Sequence, residues 1–209
     1  RGKLMTAEEL EAGRDFGRYL DVDGDGIPFR TIPGTHPRRG AYFTRGTSKD
    51  RYARYTEEGP AYVDNMQRLL RKFETAKSLV PGPVIEKAAQ PARAAIVWYG
   101  STGAPMAESL AALEEQGIHL DRMRIRAFPF ADAVAEFAAA HDHVFVVEQN
   151  RDAQLRALLL NECGIAPDKL IPVLHYDVNP LTARFITSEI GEKARALGLV
   201  RGRPAIAAD

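Results

Sequence analysis

From Ala94 to Leu197, short apolar runs alternate with segments of helical period. Ala94–Tyr99 (AAIVWY) reads as a buried strand, closed by Gly100-Ser101-Thr102-Gly103. The pattern predicts a helix over Pro105–Gln116, a strand over Arg122–Phe128 and an Ala-rich helix over Ala131–Ala140. His143–Glu148 (HVFVVE) follows as a strand and Asp152–Glu162 as a helix stopped by Gly164. Leu170–His175 is then a strand and Pro180–Leu197 a helix. Strands alternating with helices predict an α/β domain, residues 91–209, with a three-layer, mostly parallel sheet. About 110 residues can bury an adequate core. Before it, Thr6-Ala-Glu-Glu9 has the form of a capping box. Leu10, Phe16, Tyr19 and Leu20 would line one face of the helix it starts. A second helix, Ala61–Leu79, places Val63, Met66, Leu69, Leu70 and Phe73 on one stripe. Val80-Pro81-Gly82-Pro83 ends it, and a linker is expected up to Pro91. Residues 1–90 thus read as a helical and long-loop segment preceding the sheet domain.

The two helices of that first segment are separated by a polar stretch without any period, Asp21–Gly59. Structureless stretches of this length are uncommon in compact domains and are usually functional or disordered. Ile27, Phe29, Ile32, Tyr42, Phe43, Tyr52 and Tyr55 give this one apolar anchors. Arg30, Thr35, His36, Arg38, Arg39 and Arg45 give it donors suited to a carboxylate or phosphate. A loop that packs and still offers donors is a candidate for holding an anionic substrate.

Composition narrows the class. The chain has 209 residues, with Lys+Arg and Asp+Glu both 28, so no basic excess points to nucleic acid. No apolar run approaches the roughly 20 residues of a membrane span, and no signal peptide is visible. Cys163 is the only cysteine and cannot alone hold an iron–sulfur cluster. A cytoplasmic setting is expected. The chain opens on Arg-Gly-Lys rather than Met, which reads as a piece of something longer.

Several motifs carry chemistry of lesser weight. Asp21-Val-Asp23-Gly-Asp25-Gly26 begins like a calcium-binding loop, but the twelfth position is Ile32 where a bidentate Glu is needed. It reads as an acidic turn with Gly at positive-φ sites. Gly24-Asp25-Gly26 also mimics the start of a thiamine-diphosphate motif, but the Asn expected near Tyr52–Glu57 is missing. Gly100–Gly103 reads as a tight turn. Glu148-Gln-Asn150-Arg151 lies at a strand C-terminus, where α/β sheets place their crevices, and packing is the favoured role. His141-x-His143 reads as a surface turn. Cys163, near a helix end, lacks the setting that activates a thiol.

The segments DVDGDGIPFRTIPGTHPRRGAYFTRGTS, Ala61–Lys72 and Val146–Leu160 resemble the alpha subunit of bacterial 2-oxoacid:ferredoxin oxidoreductases, in particular the 2-oxoglutarate (2-oxoglutarate synthase) type. The resemblance runs from about Leu20 to about Ile190 and covers the C-terminal portion of that subunit. It implies that residues 1–90 end a pyrimidine-type domain and that residues 91–209 are transketolase C-terminal-like. It implies oxidative decarboxylation of a 2-oxo acid to acyl-CoA and CO₂, with electrons passed to ferredoxin. The expected partners are a beta subunit, ferredoxin, the 2-oxo acid and coenzyme A, in a dimer of heterodimers. Thiamine diphosphate, Mg²⁺ and [4Fe–4S] would be held mainly by the partner subunit, with none in this chain alone. In the family an Arg and a Thr contact the substrate carboxylate. Arg30, in an R-x-x-P-G context, matches the Arg, and Thr35 and Thr47 both fit the Thr. His36 could orient the keto oxygen. No catalytic residue is assigned to this chain. The basic run Arg38, Arg39, Arg45, Arg51, Arg54 is either a docking face for ferredoxin or coenzyme A phosphates, or a solvated face paired with Glu57 and Glu58. The alternative class is a non-catalytic α/β assembly module.

Overall fold

The computed structural model of the chain describes residues 2–200 and divides at Leu79/Val80 into two compact units. Residue 1 and residues 201–209, the outer ends of the two expected domains, lie outside the described residues.

The first unit opens with α1, Ala7–Glu11. The capping box forms as expected. Thr6 Oγ1 accepts from the Glu9 N–H at 3.2 Å, and Glu9 Oε2 accepts from the Thr6 N–H at 2.8 Å. The helix is five residues long, because the chain turns at Ala12–Gly13. Of the four apolar residues expected on its face, it therefore carries only Leu10, which is buried. Phe16, Tyr19 and Leu20 are half-buried in the loop that follows.

α2, Gly59–Lys77, begins with Pro60 in its first turn, where the missing N–H costs nothing. Its orientation reverses the expectation. Val63 is 55%, Leu70 62% and Phe73 49% exposed, while Arg68 is 6%. The helix turns its polar side inward because the long loop needs donors. Arg68 Nη1 donates to the Gly26 carbonyl at 3.1 Å, Thr75 Oγ1 to that of Asp25 at 2.6 Å and Asn65 Nδ2 to that of Lys49 at 2.6 Å. A loop without ladder partners would otherwise leave these carbonyls unsatisfied.

The turn at Asp21–Gly26 seats the loop on α2. Asp21 accepts from the Gly24 and Gly26 N–H groups, both at 3.0 Å, and pairs with Arg71 at 3.2 Å. Gly24 and Gly26 have φ of 81° and 78°. At Gly26 a Cβ would collide with the Lys72 amide and the Arg68 carbonyl, whereas at Gly24 it would meet nothing.

The second unit is a five-stranded sheet in the order β1-β3-β2-β4-β5. Its strands are β1 Val84–Glu86, β2 Ala94–Tyr99, β3 Leu120–Ile125, β4 His143–Glu148 and β5 Leu170–Leu174. β1 pairs antiparallel with β3, and every other pairing is parallel. The segment read as linker thus contributes an exposed edge strand. Pro172 is accommodated on the other edge strand, where its missing N–H need not face a partner.

α3 (Met106–Glu115) and α6 (Ala183–Ala196) cover one face, against Ile96, Phe145, Val147 and Val173. α4 (Asp132–Ala139) and α5 (Gln154–Cys163) cover the other, against Val97, Val144 and Val146. Alternate residues of β4 feed opposite faces, and both faces are dry, so the strand is a continuous apolar run. Among the described residues no helix is long and apolar enough to cross a membrane.

Two buried carboxylates hold this unit together. Glu148, fully buried, accepts from the Leu155 and Arg156 N–H groups at 2.8 and 3.2 Å and from Asn150 Nδ2 at 2.6 Å. It caps the N-terminus of α5, whose first amides have no helical partner. Asp121 accepts from Lys87 Nζ at 2.6 Å, the Ala88 N–H at 2.9 Å and His141 Nε2 at 2.8 Å. His141 Nδ1 lies 2.8 Å from the Phe137 carbonyl, so both ring nitrogens are held against oxygen atoms. His141 is 3% exposed: the expected surface turn is a buried brace, and only Asp142 between the two histidines is solvent-facing.

Burial alone would push the Asp121 carboxyl up, but the bonds from Lys87, Ala88 and His141 outweigh it and hold it below its ordinary value. The folded state therefore binds fewer protons than the unfolded state. This stabilisation is present above the unfolded value, near pH 4, and is lost as pH falls through the folded one. Denaturant titration at successive pH values should show wild-type stability falling below about pH 4. Asp121→Asn should be less stable at pH 7 by about 1–3 kcal/mol, with a shallower acid decline. An unchanged acid decline would show that Asp121 does not control it. In the first unit, Gly24→Ala should cost only the backbone term, about 1 kcal/mol, and Gly26→Ala distinctly more. Equal losses in thermal unfolding would contradict the packing described.

Candidate functional site

Of the loop residues expected to bind substrate, Thr35 and His36 line a cavity of about 430 Å³ formed by residues 31–36 and 39–42, and Arg30 is not part of its lining. Arg30 leads into it on an extended backbone. Its N–H donates to the Lys3 carbonyl at 2.9 Å and its carbonyl accepts from the Met5 N–H at 2.8 Å, which fixes the Cα while the side chain is exposed. Thr31 Oγ1 ties the strand to the Gly40 carbonyl at 2.6 Å and closes the loop on itself.

Thr35 and His36 both line the cavity, and both are braced locally. Thr35 Oγ1 donates to the Ile32 carbonyl at 2.7 Å and accepts from the Ile32 N–H at 3.2 Å. This leaves the hydroxyl a second lone pair. His36 Nδ1 accepts from the Arg38 and Arg39 N–H groups at 3.1 and 2.9 Å, so Nε2 carries the proton and donates to Glu11 Oε2 at 2.6 Å. That bond, with the Arg39 charge, holds the Glu11 carboxyl below its ordinary value. Thr47 does not share this cavity.

The basic run splits up. Arg39 Nη1 donates to the Leu10 and Glu11 carbonyls at 2.6 and 3.1 Å, closing the end of α1. Arg45 lies over the Tyr55 ring at 5.7 Å and Arg54 over Tyr52 at 5.3 Å. Arg51 pairs with Asp64 at 3.1 Å, in place of the Glu57 and Glu58 expected.

A second cavity, of about 410 Å³, lies between the loop and α2. Thr47, Lys49 and Arg68 line it, with Lys49 only 8% exposed. Sequence reasoning missed Lys49 and Arg68. Arg68 sits on the polar side of α2, which the period alone assigns to solvent. Lys49 stands in a Thr-Ser-Lys stretch with no distinguishing neighbour.

At the sheet's C-terminal edge a cavity of about 410 Å³, largely apolar, opens beside Tyr99, Ile125, Phe128 and Leu155, while the β2–β4 crossing is bridged. Gln149 Nε2 reaches Ser101 Oγ at 3.1 Å and Thr102 Oγ1 at 3.3 Å across the point where strand order reverses. Gly100–Gly103 forms a short 3₁₀ turn there. Glu148 and Asn150 are engaged at α5, while Gln149 and Arg151 are exposed.

Among the described residues, one acidic group comes close enough to hold a metal ion. The carboxylates of Asp21, Asp23 and Asp25 approach within 4.8 Å of one another. Lys3 pairs with Asp23 and Asp25, both at 2.6 Å, and Arg71 with Asp21, so each carboxylate of the acidic turn already has a basic partner. Cys163, the one thiol, ends α5 beside the Gly164 cap and supplies one of the four thiolates a cluster usually takes.

No protein-family model matches the chain. The chain is 30% identical over 205 residues to 2-oxoacid:ferredoxin oxidoreductase 2, subunit alpha, of Aeropyrum pernix, a match covering 92% of this chain and 30% of that relative. A solved 2-oxoglutarate:ferredoxin oxidoreductase from Magnetococcus marinus, with 2-oxoglutarate, coenzyme A and succinyl-CoA bound, superposes with a TM-score of 0.72. It is 21% identical and covers 87% of this chain and 31% of that one, and at that identity it bears on the fold alone. The chain spans about a third of the length of the relatives it matches. Along nearly its whole length, then, the chain is homologous to a segment of the alpha subunit of a 2-oxoacid:ferredoxin oxidoreductase, and its mostly parallel α/β sheet is that enzyme's fold.

Proposed function

We propose that this chain is part of the alpha subunit of a thiamine-diphosphate-dependent 2-oxoglutarate:ferredoxin oxidoreductase, acting in the cytoplasm in a dimer of heterodimers with a beta subunit. The reaction would convert a 2-oxo acid and coenzyme A to acyl-CoA and CO₂, passing electrons to ferredoxin. The observation that carries this reading is the 30% identity over 92% of the chain. Thiamine diphosphate, its Mg²⁺ and the iron–sulfur cluster belong, in this reading, to the partner subunit.

This chain's contribution would be the loop from Arg30 to His36. A guanidinium fork suits a planar carboxylate and keeps its charge at any working pH. The extended backbone that fixes the Arg30 Cα supports its placement as the carboxylate contact. Thr35 would reach the substrate by turning its hydroxyl proton from the Ile32 carbonyl to a substrate oxygen. His36, locked between Glu11 and the turn, would hold the wall against which the substrate lies. The bridge from Gln149 to Ser101 and Thr102 favours an assembly role for the α/β unit, in keeping with the non-catalytic alternative for that part of the chain.

The full-length gene product, purified from its host, should bring down a beta-type partner. The complex should reduce a viologen dye only when 2-oxoglutarate and coenzyme A are both supplied. Reduction with a different 2-oxo acid would move the substrate assignment, and an inert chain eluting alone would remove the reading. In the active complex Arg30→Ala should lower kcat/KM by roughly 10- to 100-fold with assembly unchanged. Arg30→Lys should recover part of the loss. Loss of assembly instead would make the loop a scaffold.

A further inference from the structure

The cavity between the loop and α2 supports an inference independent of the oxidoreductase reading. A charge taken out of water is costly unless it is paired. Lys49 and Arg68 are 8% and 6% exposed, and both line this cavity. Lys49 Nζ donates to Thr47 Oγ1 at 2.7 Å. Arg68 donates to the Gly26 carbonyl at 3.1 Å and to Asn65 Oδ1 at 3.4 Å. All three acceptors are neutral, and among the described residues neither cation has a carboxylate at ion-pair distance. Burial, together with the like charge of Arg18, pushes the Arg68 guanidinium down from its ordinary value, against the opposing pull of Asp21. Arg45 adds a third cation at the rim, and no Asp or Glu lines the cavity.

The opposite wall is apolar. Tyr62, Met66 and Leu69 line it, with Tyr62 52% and Met66 36% exposed. Met66 and Leu69 belong to the apolar stripe of α2, at the border where it meets the loop. About 410 Å³ is at the small end of ligand cavities. We infer that this cavity binds a small oxyanion with an apolar arm, its carboxylate or phosphate head at Lys49 and Arg68 and its carbon body along Tyr62 and Met66. A guanidinium beside an ammonium, with the Thr47 and Ser48 hydroxyls near, provides the donors such a head requires.

The test is calorimetric titration of the full chain at low ionic strength with inorganic phosphate, n-hexyl phosphate, acetate and hexanoate. Saturable one-site binding is expected for at least one hexyl probe, roughly ten-fold or more tighter than for its short counterpart. The phosphate and carboxylate arms decide which head the site prefers. Lys49→Met should weaken that binding by roughly ten-fold or more, and Lys49→Arg should largely keep it. Arg38→Gln, an exposed charge outside the cavity, should leave it unchanged. Should Lys49→Met fail to fold by circular dichroism, Arg45→Gln at the rim provides the same comparison. Four probes without saturable binding would overturn the inference. So would binding that survives Lys49→Met, or binding lost equally in Arg38→Gln.

Discussion

The first unit is governed by one requirement: a loop of nearly 40 residues with almost no ladder must still satisfy its backbone. Two isolated bridges, Leu4 with Arg30 and Lys49 with Tyr55, are all the strand pairing available around it. Other carbonyls are bonded in turns within the loop, and those of Asp25, Gly26 and Lys49 take donors from α2, through Thr75, Arg68 and Asn65. Once the helix is committed to that task, its apolar residues have nowhere to go but outward. The same docking leaves no room for a side chain at Gly26, where the loop backbone lies directly on the helix backbone.

The α/β unit solves a smaller version of the same problem with acids instead of bases. Glu148 and Asp121 are buried, and each is surrounded by donors, so each organises the backbone around it. Glu148 occupies the helix N-terminus that such folds often offer to an anionic ligand. Gln149 spans the neighbouring crevice. The two polar cavities described lie instead along the loops of the irregular first unit.

What could be read in the sequence follows from these constraints. β2 and β4 were legible to the residue, because burial on both faces leaves an unbroken apolar run. Helix ends in the second unit were legible to within about three residues, which is the ordinary fraying of such boundaries. The stripe on α2 was legible as a stripe, but amphipathic period does not say which side faces in, and here the polar side does. His141 was misplaced because its partner, Asp121, lies 20 residues away in sequence and only the sheet brings them together. Arg30, Thr35 and His36 stood out as polar residues in an anchored loop. That the Thr35 hydroxyl and both nitrogens of His36 are spent on Ile32, Glu11 and the turn at Arg38–Arg39 depended on the loop's closure, which no local motif records.

A carbonyl and a carboxylate satisfy an arginine differently. Both complete its hydrogen bonds, but only the carboxylate cancels its charge. The loop of this chain recruits Arg68 with a peptide carbonyl and an amide, and Lys49 with a hydroxyl, so donors are satisfied while two positive charges persist in a low-dielectric wall. Balanced composition, 28 basic against 28 acidic residues, conceals this because the acids nearest the turn are engaged by Lys3 and Arg71. The local excess of positive charge is thus a by-product of how the loop is held, and the outward apolar stripe is another. Both meet at one cavity, where a single amphiphilic anion would relieve the two at once.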